Sequence, residues 1–107
     1  MSTSSHRVIA TRRLAYAFKD DPTRRVFSVR IHEPFFVEPG SVDFNVSGWT
    51  SGCDISFDGL EHKEWTSYGA DEVQAIELAV KDMEDMLRRL SKIYDLYFDD
   101  GEPYFDD

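Results

Sequence analysis

The feature that most constrains this chain is a change of hydrophobic period at Tyr68-Gly69-Ala70-Asp71-Glu72-Val73-Gln74-Ala75-Ile76-Glu77-Leu78-Ala79. Upstream of it apolar residues alternate singly with polar ones; downstream they recur every three or four positions. Alternation belongs to a strand with one buried face, and a recurrence near 3.6 belongs to an amphipathic helix. The chain is therefore expected to build a sheet first and then cover it with one helix.

The strand half is read from parity. Leu14, Tyr16 and Phe18 alternate with Arg13, Ala15 and Ala17, while Val8, Ile9 and Ala10 break the alternation and predict a bulge or strand start. Asp20-Asp21-Pro22-Thr23 supplies a turn, after which Phe27, Val29 and Ile31 alternate with Ser28, Arg30 and His32. Val42, Phe44 and Val46 predict a third strand, and Cys53, Ile55 and Phe57 a fourth. Asp58-Gly59 predicts a hairpin turn into a fifth segment over Glu61 to Ser67 that carries Trp65. Between Pro34 and Pro39-Gly40 lie Phe35, Phe36 and Val37, apolar where a loop would be polar; a lid on the core is favoured over an exposed patch.

Asp71 followed by Gln74 has the form of a capping box. Val73, Ile76, Val80, Met83, Leu87, Leu90, Tyr94 and Tyr97 then keep three- and four-residue steps, which predicts a helix from Asp71 to about Tyr97 or Phe98. The expected fold is α+β: an antiparallel sheet of four to five strands covered on one face by a single long C-terminal helix. A length of 107 residues suits one domain, with residues 1–6 and 99–107 expected to be flexible.

Charge is divided along the chain. Residues 1–32 carry a net +5 and residues 33–107 a net -14, for -9 in all. So acidic a surface repels phosphate backbones and favours basic partners. No apolar run is long enough to span a bilayer, the N-terminus lacks the form of a signal peptide, and the only cysteine is Cys53. These features place the chain in the cytoplasm without disulfides.

Sites of chemistry are not evident. Asp54 and Asp58 lie on one strand face about 13 Å apart at about 3.3 Å per residue, too far for a carboxylate pair. His6, His32 and His62 are scattered without metal-ligand spacing, and Cys53 falls on the apolar parity of its strand, as a structural thiol would. No glycine pattern cradles a phosphate. Hence no catalytic residue, no metal and no cofactor are expected. Arg12, Arg13, Arg24, Arg25 and Arg30 would form a cationic stripe on a hairpin of the first two strands, suited to single-stranded nucleic acid or a small ligand; balance against the acidic helix and tail is the preferred reading.

Ile9-Ala10-Thr11-Arg12-Arg13-Leu14, the segment through Val29-Arg30-Ile31, the Trp49…Cys53-x-Ile55…Gly59 stretch and the Gly69-x-Asp71-x-x-Gln74-Ala75 helix opening together resemble an uncharacterised family of small bacterial proteins. The resemblance implies strands followed by a helix and transfers no catalytic residue.

The function expected is that of a protein-binding module, most concretely an immunity or inhibitor protein for a basic toxin, effector or nuclease. Its contact residues would be Glu61, Glu64, Asp99, Asp100, Glu102, Asp106 and Asp107, with Tyr104 and Phe105 as aromatic anchors or, equally, as pins of the tail onto its own domain. A nucleic-acid mimic of phage type and a ligand-binding domain built on the basic strands are the alternatives.

Overall fold

The structure, a computed structural model, describes residues 6–105. Its elements in chain order are β1 (Val8–Phe18), β2 (Arg25–His32), β3 (Phe35–Phe36), β4 (Ser51–Asp58), β5 (Trp65–Gly69), α1 (Glu72–Leu90) and β6 (Tyr94–Phe98). The fold is α+β, one helix on an antiparallel sheet. Every strand pairing is antiparallel.

Ser51 and Gly52 of β4 pair with β5 and also with β3, so β3 lies on the β2 side of β4. The strand β2 therefore breaks at Glu33 and Pro34 and resumes as β3. Across the sheet the order is β5, β4, β2 with its continuation β3, β1 and β6. The helix leaves β5 at one margin of the sheet, and the chain returns in β6 at the other.

Register sorts the side chains as parity required. Leu14 faces Phe27, Arg12 faces Val29, and Val29 in turn faces Phe57. One face of the sheet thus presents Leu14, Phe27, Val29, Ile31, Cys53, Ile55 and Phe57 to Ala75, Ala79, Met83, Met86, Leu87 and Leu90 of the helix. Between Val8 and Ala10 the register shifts, at the bulge that Val8-Ile9-Ala10 predicts. Asp71 caps α1 by accepting from the Gln74 amide at 2.8 Å, and the Gln74 side chain accepts from the Ala70 amide, one residue before the position a capping box would engage. The helix approaches β5 so closely that a Cβ on Gly69 would lie 2.5 Å from the Ala75 nitrogen. At Gly59 the β4–β5 connection turns with φ of +86°, which only glycine adopts freely.

Three expectations are corrected. The helix ends at Leu90 with Ser91 as its cap, and Tyr94–Phe98 is a strand beside β1, so a strand follows the helix and the described residues form six strands where four or five were expected. The third strand expected over residues 42–46 does not form: residues 41–44 are bends and 45–47 are irregular, with the Phe44 ring packed edge-on against Tyr68 of β5. Phe35-Phe36-Val37 is divided among three roles: Phe35 covers Gly52, Val37 is buried, and Phe36 is half exposed against the ring of Trp49.

Candidate protein-binding surface

The tail is fastened to the domain. Phe98 and Tyr104 amides donate to the Glu102 and Leu96 carbonyls, and Tyr97 bridges to Pro103, so residues 102–104 run back along the outer margin of β6. This register directs Tyr104 to the helix face. There its hydroxyl meets both carboxylate oxygens of Glu84, at 2.8 and 2.9 Å, and Arg12 donates to the same hydroxyl and the same carboxylate. One cluster therefore ties β1, α1 and the tail together.

Each member alters the others. Desolvation opposes the charge on Arg12, but hydrogen bonds to Glu84 and Tyr104 outweigh it and hold the guanidinium above its usual range. Burial, followed by the neighbouring Glu84, raises the Tyr104 hydroxyl. Phe105 packs on the core below Arg88, whose guanidinium carbon stands 3.8 Å from the ring centroid. Residues 99–105 are thus ordered against the fold, and Tyr104 and Phe105 are pins on their own domain. Asp106 and Asp107 lie outside the described residues.

The acids assigned to a contact do not form one patch. Asp99, Asp100 and Glu102 are exposed in the turn that follows β6. Exposed Glu61 and half-buried Glu64 sit in the β4–β5 connection, with β4, β2 and β1 between the two groups. A third set, Glu72, Glu77 and Asp85, is exposed along α1.

The arginines are divided as well. Arg12 and Arg25 share the parity of buried Leu14 and Phe27, whereas Arg13 and Arg30 project to the opposite, open face. Arg30 pairs with Asp58 at 3.0 Å, and Arg24 lies over the Tyr97 ring and reaches the Gly101 carbonyl. A single cationic stripe does not form.

Cys53, His32 and His62 do not converge. The Cys53 thiol donates to the His32 backbone carbonyl, while the His32 ring points to the other face, between the His6 carbonyl and the Ser56 hydroxyl at 2.7 Å each. The carbonyl can only accept, so Nδ1 carries a proton. The His62 ring lies tilted against Phe57, with ring centroids 4.3 Å apart. Among the described residues no group of three potential ligands gathers around a metal position, and no helix is long and apolar enough to cross a membrane.

Sequence reasoning missed Glu84. No local pattern sets it apart from the other acids of α1, since its partners come from residues 12 and 104. Comparison of the chain with protein families, with curated proteins and with solved structures finds no match.

Proposed function

We propose that this chain is a protein-binding module whose acidic surface engages a basic protein, as an immunity or inhibitor protein would. One observation carries the reading: 21 acids stand against 12 lysines and arginines, and every internal ion pair consumes one of each. Arg7, Arg12, Lys19 and Arg30 are already committed to Glu33, Glu84, Asp95 and Asp58. Among the described residues Glu61, Glu72, Glu77, Asp85, Asp99, Asp100 and Glu102 stand exposed outside those pairs, and such a field speeds encounter with a cationic partner and rejects anionic ones. A non-enzymatic role in the cytoplasm fits the same features.

Because the acids occupy three separate places, the partner meets one or two of them rather than all. The turn at Asp99, Asp100 and Glu102 suits a contact best, since Tyr104 and Arg24 hold it against the domain and little order is lost on binding. Immobilised chain should capture a basic protein from its native host, with capture falling steeply as salt is raised. Capture indifferent to salt, or of acidic proteins alone, would refute this reading.

A further inference from the structure

β6 pairs with Leu14–Phe18 only. Among the described residues nothing pairs with that side of β1 from Val8 to Arg13, although the sheet continues to β2 on the other side. Beside this open edge lies a cleft of about 190 Å³ between Ala10, Arg12, Val29 and Ile31 on the sheet and Val80 and Met83 on the helix. Its floor is apolar, and Val80 on its rim is 41% exposed. β5 also has an outer edge; the cleft is what distinguishes β1.

We propose that the Val8–Arg13 edge accepts an extended segment of another protein as an added strand, and that this segment alternates apolar with acidic residues. Three observations define the occupant. An open strand edge offers backbone donors and acceptors to another strand. Positions of an added strand opposite Ala10 and Arg12 share their parity and point toward the cleft, which has room for a small apolar side chain. Positions opposite Thr11 and Arg13 point to the open face, and Arg13 has no acid within ion-pairing distance among the described residues.

Charge narrows the choice further. Residues 7–13 hold three arginines and no acid in a chain of net charge -9. Glu33 and Glu84 engage Arg7 and Arg12, leaving Arg13 as the cation that a cross-strand carboxylate would meet. A second copy fits less well. Pairing β1 with itself would double the arginine cluster at the interface while bringing together two molecules of like net charge.

The proposal goes beyond the acidic contact surface and does not depend on it. A short capped peptide alternating valine with aspartate and threonine is the probe, with a second peptide carrying lysine for aspartate as its counterpart. The aspartate peptide should bind the full chain saturably and slow hydrogen exchange at the amides of Val8–Arg13. Arg13→Glu should weaken that binding about tenfold and transfer the preference to the lysine peptide. Val80→Glu, at an exposed rim position, should weaken both peptides without altering the thermal midpoint.

Several results would overturn it. Absence of saturable binding up to about 1 mM would mean that the arginines only guard the edge. Equal affinity for the two peptides would remove the charge argument. Protection of Val8–Arg13 that grows with protein concentration alone would make the occupant a second copy. Capture of a basic host protein should not be weakened by Arg13→Glu, which only adds to the negative charge of the chain, so this test and that of the acidic surface fail separately.

Discussion

Cys53 shows how one side chain links parity, burial and titration. It lies wholly out of water between Ser51 and Ile55 on the helix face, its thiol bonded to a carbonyl. Burial, and secondarily the adjacent Asp54, push that thiol from 9.0 to about 11. A group whose folded value is raised contributes stability that is complete below the unfolded value and disappears as pH rises through the folded one. The thermal midpoint should therefore fall from pH 9 toward pH 11, and fall less in Cys53→Ala; equal slopes in the two proteins would exclude the thiol as the cause. The same burial should leave the native thiol unreactive to iodoacetamide at neutral pH while the unfolded chain reacts promptly. Leu87, also fully buried, was placed on the core stripe by its spacing from Met83 and Leu90. Its truncation to alanine should cost about 2–5 kcal/mol by chemical denaturation, since it removes contacts and leaves a cavity. A loss below about 0.5 kcal/mol would mean that the site collapses or repacks freely.

At the scale of elements, the start of α1 was legible and its end was not. Asp71 and Gln74 announce the N-terminus by chemistry that acts within four residues, so Asp71→Ala should cost about 1 kcal/mol, the usual value of an N-cap. Past Leu90 the residues Tyr94 and Tyr97 keep helical spacing, yet Tyr94, Leu96 and Phe98 also alternate. Short apolar stretches fit both periods, and here the open margin of β1 decides in favour of the strand. Val42 to Val46 shows the converse: its alternation is sound, but the segment makes side-chain contact with the sheet, Phe44 against Tyr68, without pairing as a strand. The β1–β2 and β4–β5 pairings were legible because each joins neighbours through a short turn. The Arg12–Glu84–Tyr104 cluster was not, because its members are brought together only after the helix and tail have packed. That cluster gives a test of its own. Tyr104→Phe keeps the ring on the core but leaves Glu84 with Arg12 alone, and should cost about 1 kcal/mol, against more for Tyr104→Ala. Equal losses from the two substitutions would assign the whole effect to the hydroxyl.

For the whole molecule, the consequence of a net charge of -9 is felt in the rate at which a cationic partner arrives. Charges at the margin of an interface act over a distance limited by screening, about 8 Å at physiological salt, and shape encounter more than residence. The turn after β6 allows this to be tested without disturbing the fold, provided its internal bonds are respected. The Asp100 carboxylate accepts from the Glu102 amide at 3.0 Å, so Asp100→Asn keeps an acceptor while removing the charge. Asp99 and Glu102 are exposed, and both can be reversed to lysine. The combined variant should slow association with a basic partner about tenfold at low salt, leave dissociation within about twofold, and lose its difference from the parent as salt is raised. An unchanged thermal midpoint would show that the tail still clasps Glu84 and Arg12 in the variant. If dissociation changes while association does not, the turn is a close contact rather than a steering charge. If neither rate moves, recognition belongs to the acids of the helix or of the β4–β5 connection, where reversing Glu77 with Asp85, or Glu61 alone, should then reproduce the salt-dependent slowing.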